Sequence, residues 1–380
     1  MERRTFLKHS ICLLSIPFSS LTLPSCGQLT PKKASRKLAF FSVDLNQINE
    51  KYQRHGFKVN GGEGNQLHLL DMDQYSIESI PIPVSYPHSI IQSQNNPDLA
   101  VITPRDFNTA AIIDLKRKRI LSTLQLKNGE QFYGHGFFAH NGESFYLSGY
   151  EKSKKGFLRK FNLLGQAIQN QETYGNSPHD TALIGDGRVA LIANNGWSGS
   201  DTLKNHYDSN MAFIDVSTGL LIESVTNSNS AVTFQHFVAN EQGDFVVGCD
   251  LVARKGPSHL EENSLLGLRR MNKELVFLAS SPEFNRKISG NILSLAWNEK
   301  AQTVLTTTPE GVLTKWDLKQ MKAVEQSFLD AHPQGVVASD ESFLVTTTNS
   351  GIWEYDLQQK SRLINNGISN IHSHASWILS

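Results

Sequence analysis

Cysteine is scarce in this 380-residue chain, which contains only Cys12, Cys26 and Cys249. The first two lie in the N-terminal signal region, so Cys249 is left alone in the mature domain and no disulfide can form within it. This count excludes a disulfide-stapled fold and a thiolate zinc site. Cys249 ends an apolar, strand-like segment, and we interpret it as a small buried hydrophobic residue.

An excess of charge is also absent, because 36 Lys and Arg residues balance 36 Asp and Glu residues. No basic block stands out beyond the N-terminus, so we expect no nucleic-acid partner. The chain has no Gly-x-Ser-x-Gly elbow, His-Glu-x-x-His motif, phosphate loop or Gly-x-Gly-x-x-Gly fingerprint. These absences favour a protein that is not an enzyme.

The apolar run over residues 11–23 is too short to span a bilayer. It follows Arg3 and Arg4 in an Arg-Arg-x-Phe-Leu-Lys string, which matches the signal of the twin-arginine exporter of folded proteins. The Leu-Pro-Ser-Cys string ending at Cys26 resembles a lipobox, and lipidation of Cys26 would tether the protein to a membrane. Ordinary cleavage nearby is the alternative. We predict a signal peptide over residues 1–26, a linker over 27–37 and a periplasmic location.

One short pattern recurs along the rest of the chain: an apolar strand ends in Asp or Asn, and a turn and a second apolar stretch follow. Such side chains can accept a bond from the backbone two residues on, which suits a strand that turns back. The seven Asx positions are Asp71, Asp114, Asn162, Asp215, Asn272, Asp317 and Asp356. They lie 39 to 57 residues apart, a period typical of four-stranded propeller blades.

The repeats predict an all-β fold, a seven-bladed β-propeller that forms a single domain over residues 38–380. No segment has sustained helical periodicity. The first blade lacks an inner strand, and the chain ends in one spare strand, at residues 375–379. We therefore expect the C-terminal strand to complete the N-terminal blade and close the ring of a monomer.

Histidines stand just before the inner strands of the first five blades, where they would face one end of the central channel. Such a set can bind a transition metal or hydrogen-bond an anion. A purely structural role in turns is the alternative for each histidine. The candidate metal ligands are His88, His135, His179, His236 and His374.

Long connections occur between the second and third strands of blades one, four and five, which all carry histidines. Long loops on a rigid scaffold are where binding usually resides. We therefore predict a ligand site over the channel mouth. The candidate polar lining is Arg105, Asp180, Asn194, Asn195 and Asp250.

Four strings of the chain resemble an uncharacterised bacterial family, domain of unknown function 1513. They are Phe-Tyr-Gly-His-Gly at 132–136, Ser-Pro-His-Asp at 177–180, Ile-Ala-Asn-Asn-Gly at 192–196 and Phe-Gln-His-Phe at 234–237. The resemblance implies export by a twin-arginine signal and a seven-bladed propeller. It also implies an association with periplasmic iron-acquisition proteins of the imelysin type, and hence iron or another transition metal as the cofactor.

Three hypotheses follow for the function. The first is a non-enzymatic accessory protein that binds a ligand or a metal, in iron uptake, at the histidine-bearing channel mouth. The second is a propeller enzyme, lactonase-like or a metal-dependent oxidoreductase, with His179 and Asp180 in proton transfer. The third is a pure scaffold whose loops grip a neighbouring periplasmic protein.

Overall fold

The computed structural model describes residues 36–43, 64–198, 208–226, 232–251, 264–288, 290–329, 332–348, 351–357, 361–365, 368, 371 and 373–379. These residues form 28 strands and one short helix, α1 (Pro282–Ile288), which confirms the prediction of an all-β chain. The twin-arginine motif, Cys26 and most of the predicted linker lie outside the described residues. No helix of the described part has the length and apolar composition needed to cross a membrane.

The first sheet joins the two ends of the described chain. It contains β1 (Arg36–Ser42), β2 (Gln66–Asp71), β3 (Ser76–Pro81) and β28 (Ser376–Leu379), in the order β28-β1-β2-β3. The pairing of β1 with β28 is antiparallel and runs from Arg36 opposite Leu379 to Ala39 opposite Ser376. The last strand therefore covers an edge of β1 that would otherwise carry unpaired backbone groups.

The second sheet is eight-stranded and consists of two successive four-stranded units. The strands are β4 (Pro87–Gln92), β5 (Leu99–Phe107), β6 (Thr109–Asp114), β7 (Arg119–Gln125), β8 (Gln131–Phe138), β9 (Ser144–Tyr150), β10 (Lys155–Asn162) and β11 (Ala167–Asn176). The end of β5 leaves its own unit and pairs with β8, which sets Arg105 opposite Tyr133.

Four further antiparallel sheets follow in chain order, each with four strands in sequential order. The third sheet holds β12 (Pro178–Ile184), β13 (Val189–Asn194), β14 (Asn210–Asp215) and β15 (Leu221–Thr226). The fourth holds β16 (Val232–Ala239), β17 (Phe245–Leu251), β18 (Leu266–Arg269) and β19 (Leu275–Phe277). The fifth holds β20 (Ser294–Asn298), β21 (Thr303–Thr307), β22 (Val312–Asp317) and β23 (Lys322–Phe328). The sixth holds β24 (Pro333–Ala338), β25 (Ser342–Thr347), β26 (Gly351–Asp356) and β27 (Ser361–Asn365).

The first strands of successive four-stranded units contact one another, from β28 with β4 through β8, β12, β16 and β20 to β24. Burial decreases from these strands outward: all five residues of β20 are buried, whereas most residues of β15, an outer strand, are exposed. The sequences follow this gradient, because strands buried on both faces need continuous apolar runs. The arrangement is propeller-like, with the first strands at its centre.

Four of the seven Asx positions predicted from the repeats form Asx turns in the structure, and Asp114 instead accepts the backbone N–H three residues on. Asp71, Asn162, Asp215 and Asp317 each accept a hydrogen bond from the backbone N–H two residues on, at 2.8 to 3.0 Å. Each of these four residues is the last residue of the third strand of its unit, directly before a turn. The recurring side chain therefore has the local role that its position in the repeat indicated.

Candidate metal centre

The structure brings the five candidate metal ligands together at the centre of the sheets. His88 lies on β4, His135 on β8, His179 on β12 and His236 on β16, while His374 lies two residues before β28. Neighbouring imidazole rings have centroids between 4.2 Å (His236 and His374) and 6.1 Å (His88 and His236) apart. Four strands and the segment before a fifth, all distant in sequence, thus place one imidazole each in the same small volume.

A β-bulge lies at four of these histidines. The strand register shifts between Pro87 and Ser89, between Phe132 and Gly136, between Pro178 and Asp180, and between Phe234 and Phe237. Each interval contains one histidine of the cluster. A bulge adds one residue to a strand without a partner opposite it, and it re-aims the side chain there. The bulges therefore turn the four imidazoles toward the common centre.

Gly134 provides the space for one of these rings. Its φ of +109° lies in the region that favours glycine. A Cβ atom at this position would lie 2.4 Å from Cδ2 of His88. The backbone of β8 thus comes so close to His88 that no side chain fits at residue 134.

Asp180 is the carboxylate of the cluster and sits between two of its histidines. Its Oδ1 lies 3.1 Å from Nδ1 of His135, and its Oδ2 lies 3.6 Å from Nδ1 of His236. Its two oxygens also accept the backbone N–H groups of Thr181 at 2.8 Å and Phe237 at 3.1 Å. These contacts fix the carboxylate, and the 3.1 Å contact favours a proton on Nδ1 of His135, which leaves the Nε2 lone pair of that ring available.

The remaining ring nitrogens have few partners. Nε2 of His179 lies 3.0 Å from Nε2 of His236, a hydrogen bond in which one of the two nitrogens carries the proton and the other accepts it. Among the described residues, four buried ring nitrogens of the cluster have no hydrogen-bond partner: Nε2 of His88, Nε2 of His135, Nδ1 of His179 and Nδ1 of His236. Buried polar atoms without partners are uncommon in proteins and call for an explanation. Nδ1 of His374 lies 3.3 Å from the hydroxyl of Ser294.

Burial sets the protonation state of the cluster. It lowers the pKa of all five imidazoles, that of His135 to about 4, and the positive charge of Arg105 lowers each one further. Burial alone would raise the pKa of Asp180, but the two imidazoles and the Phe237 N–H outweigh it and lower that pKa. Near neutral pH the site thus holds neutral imidazoles and one carboxylate.

Three overlapping groups in the cluster have ligand atoms within 4.8 Å of one another: His88 with His135 and His179, His88 with His236 and His374, and His135 with Asp180 and His236. The donor set is rich in nitrogen and lacks a thiolate, since Cys249 is buried in β17 and burial raises its pKa. Imidazole-rich sites suit Fe, Cu, Ni and Zn. The groups could therefore hold a transition-metal ion.

The predicted polar lining divides into two sets. Arg105, at the end of β5, lies with its guanidinium carbon 5.7 Å from the centre of the Tyr133 ring, and its charge acts on every histidine of the cluster. The Tyr133 ring in turn lies 4.9 Å from that of His179. The charge of Asp250, on β17, acts on Tyr133. Asp180 thus lies within the cluster, and Arg105 and Asp250 lie around it.

Asn194 and Asn195 have other contacts. The Asn194 amide donates to Thr173 O at 2.7 Å and to Asn210 Oδ1 at 2.9 Å. The Asn195 side chain accepts the backbone N–H of Trp197 at 3.1 Å. None of the bonds described for these two residues reaches the histidine cluster, so both tie together the strand ends and the loop after β13.

Sequence reasoning gave no role to Gly134, Tyr133 or Ser294, which all contact the cluster. The Tyr-Gly-His string around residue 134 was a signal for the first two, because a glycine directly before a repeated histidine indicates close backbone approach. Ser294 is the first residue of β20, the inner strand of its sheet. In the histidine-bearing sheets, a histidine lies on the inner strand or just before it.

Comparisons with known proteins agree with this description. A family model described as "Protein of unknown function (DUF1513)" matches residues 82–376, which include all five histidines. No curated protein matches the chain. Among solved structures, a chain of hydrazine synthase from Kuenenia stuttgartiensis is similar, with a TM-score of 0.62 and 11% identity. The match covers 80% of this chain and 92% of that chain, and at this identity it concerns the fold alone.

Proposed function

The chain belongs to the DUF1513 family, and we propose that it is an exported, non-enzymatic β-propeller protein that binds a transition-metal ion at its histidine cluster. The observation that carries this proposal is the convergence of five neutral imidazoles, four of which have a buried ring nitrogen without a hydrogen-bond partner. A buried polar atom left unpaired costs about 1–3 kcal/mol. A bound metal ion removes that cost, because it accepts the lone pairs.

The proposed ligands have distinct roles. His135 donates its Nδ1 proton to Asp180, whose other oxygen lies 3.6 Å from Nδ1 of His236, and both histidines bind the metal through Nε2. Asp180 acts from behind them as a positioning residue, as carboxylates commonly do for metal-ligating histidines. His88, His179 and His374 supply further nitrogens from three other strands. Among divalent ions, such a nitrogen-rich set binds Cu²⁺ most tightly, so selection of iron would depend on geometry and supply.

We further propose that the sheets form a closed ring of seven blades. The eight-stranded sheet then counts as two blades, and β28 completes the first blade. Two observations support this proposal: the antiparallel pairing of β28 with β1 and the chain of contacts between the first strands. A closed ring would hold the histidine-bearing strands at fixed positions around one axis.

The location of the protein is proposed from sequence alone. The twin-arginine signal supports export to the periplasm, and the lipobox-like string supports lipidation of Cys26. Iron uptake, with a partner of the imelysin type, is the process that we propose for the metal. A protein that folds before export can also take up its metal in the cytoplasm.

Metal analysis tests the function. Wild type and a His135→Ala/His179→Ala/His236→Ala variant are purified from the periplasm, and iron, copper and zinc are measured in each. We expect a stoichiometric metal in the wild type and its loss in the variant. His140→Ala, at the turn after β8, is the matched control and should retain the metal. Circular dichroism checks that each variant folds, and the single His179→Ala variant replaces the triple one if that fails to fold. Equal, near-zero metal in all proteins, also after incubation with each ion, would refute the proposal.

A further inference from the structure

A cavity of about 230 Å³ adjoins the histidine cluster. His135, Asp180, His236 and His374 form one wall of it. Most of the groups that would surround the metal therefore also face this open space. A structural metal site is closed on all sides by protein ligands, whereas a site that binds further molecules keeps one position open.

The other walls of the cavity limit what it can hold. Ser89, Ser294 and Ser376 also line it, and the remaining lining residues are apolar, among them Ile90, Leu295 and Val336. A water molecule takes up about 30 Å³ in the liquid, so the cavity accepts several waters or a molecule of a few heavy atoms. It is smaller than the pockets of about 300–1,000 Å³ that bind drug-sized ligands.

A second cavity, of about 760 Å³, lies toward the turns at the other end of these strands. The two share Ile91 in their linings. Residues that directly follow cluster members, such as Gly136 after His135 and Thr181 after Asp180, line the larger one. Exposed turn residues, such as Asp186 and Glu241, also line it. Ile91 thus lies between the two cavities, and a route from the turn side to the cluster would pass it.

We propose that the metal in the cluster keeps a coordination position open to the smaller cavity and binds a small exogenous ligand there. This inference rests on the proposed metal site. The ligand class is a neutral molecule or a monoanion of a few atoms, of the size of azide or nitrite. The imidazoles are neutral, and the charges of Asp180 and Arg105 offset each other, so the ion's own positive charge attracts an anion.

Azide binding tests the inference. Wild-type protein is loaded with Cu²⁺, its stoichiometry is measured, and sodium azide is added while the absorption and electron paramagnetic resonance spectra are recorded. We expect a new, saturable azide-to-copper charge-transfer band and an altered copper signal. The bulkier ligand 4-phenylimidazole should produce neither change. Fully loaded protein whose spectra do not respond to azide would overturn the inference and leave the metal site standing, whereas protein that binds no metal would overturn both.

The Ile91→Trp variant tests the route. The indole ring of tryptophan is larger than the isoleucine side chain and narrows the route. Because residue 91 is not one of the proposed metal-binding residues, copper stoichiometry should stay unchanged. We expect azide association, followed by stopped flow, to slow about tenfold or more, which corresponds to at least about 1.4 kcal/mol of barrier. Ile168→Trp, on the exposed strand β11, is the matched control and should leave the rate unchanged. An unchanged rate in a folded, loaded Ile91→Trp protein would overturn the route.

Discussion

Replacing Asp180 by Asn changes two oxygens into one oxygen and one NH₂ group with almost no change in shape. The two oxygens accept different backbone donors, Thr181 N–H and Phe237 N–H, and each faces Nδ1 of a different histidine. An asparagine can serve only one side as an acceptor. When the NH₂ group faces His135, that imidazole must place its proton on Nε2, the nitrogen that we propose binds the metal.

The expected losses follow from this geometry. Removing the group that orients metal-ligating histidines typically weakens metal binding by about 10–100-fold, or about 1.4–2.8 kcal/mol. Loss of a hydrogen bond to a charged acceptor should also lower the free energy of unfolding of the metal-free protein by about 1.5–3 kcal/mol. Competition titration with a chromophoric chelator measures the first quantity, and urea unfolding measures the second.

Asp215→Asn is the matched control for the Asp180→Asn variant. Asp215 lies in the same sheet, at the exposed turn after β14, where it accepts bonds from Ser217 and Thr218. Its replacement should leave metal affinity unchanged. The reasoning is refuted if folded Asp180→Asn protein binds metal as tightly as the wild type, because Asp180 then does not set the tautomer of His135.

Two further predictions concern the first sheet. Burial lowers the pKa of His68 to about 4, below its unfolded value of about 6.5. The unfolded chain thus binds more protons between these pH values, and stability is lost as the pH falls through this window. We expect the free energy of unfolding of the metal-free wild type to fall between pH 7 and pH 4.5 by about 2–3 kcal/mol more than that of His68→Gln. Urea unfolding at the two pH values measures both decreases. Ile378 is 2% exposed in the core of this sheet, so Ile378→Ala should lower the free energy of unfolding by about 2–5 kcal/mol.

Each of these predictions has a clear contrary outcome. Equal losses at pH 4.5 in wild type and His68→Gln would mean that His68 accepts a proton as readily in the folded protein as in the unfolded chain. For the last strand, Leu379→Ala is the control, since Leu379 is 44% exposed and its loss should change stability by less than about 0.5 kcal/mol. If Ile378→Ala were equally mild, β28 would not contribute to the stability of the first sheet.

The sequence predicted the set of cluster histidines because the repeats assign each of them to the same place before an inner strand. The Asx turns were predictable for the same reason, since their bonds are local. The extension of β5 across to β8 was not predictable, and it is this pairing that carries Arg105 to the cluster. Bulge positions, the close approach at Gly134 and the tautomer imposed by Asp180 all depend on neighbouring sheets. Asn194 and Asn195 look like site residues in sequence, but their described bonds hold strand ends together.

The bulged first strands have a consequence for engineering. Each ligand comes from a separate strand, and the rest of that strand is anchored in its own sheet, so one position can be exchanged while the other sheets keep their register. Ser294 begins β20, and Gln334 lies in a bulge of β24 between Pro333 and Val336. Both side chains are buried. The number and kind of donor atoms at the centre can thus be varied one sheet at a time, which makes the fold a scaffold for metal sites of graded composition.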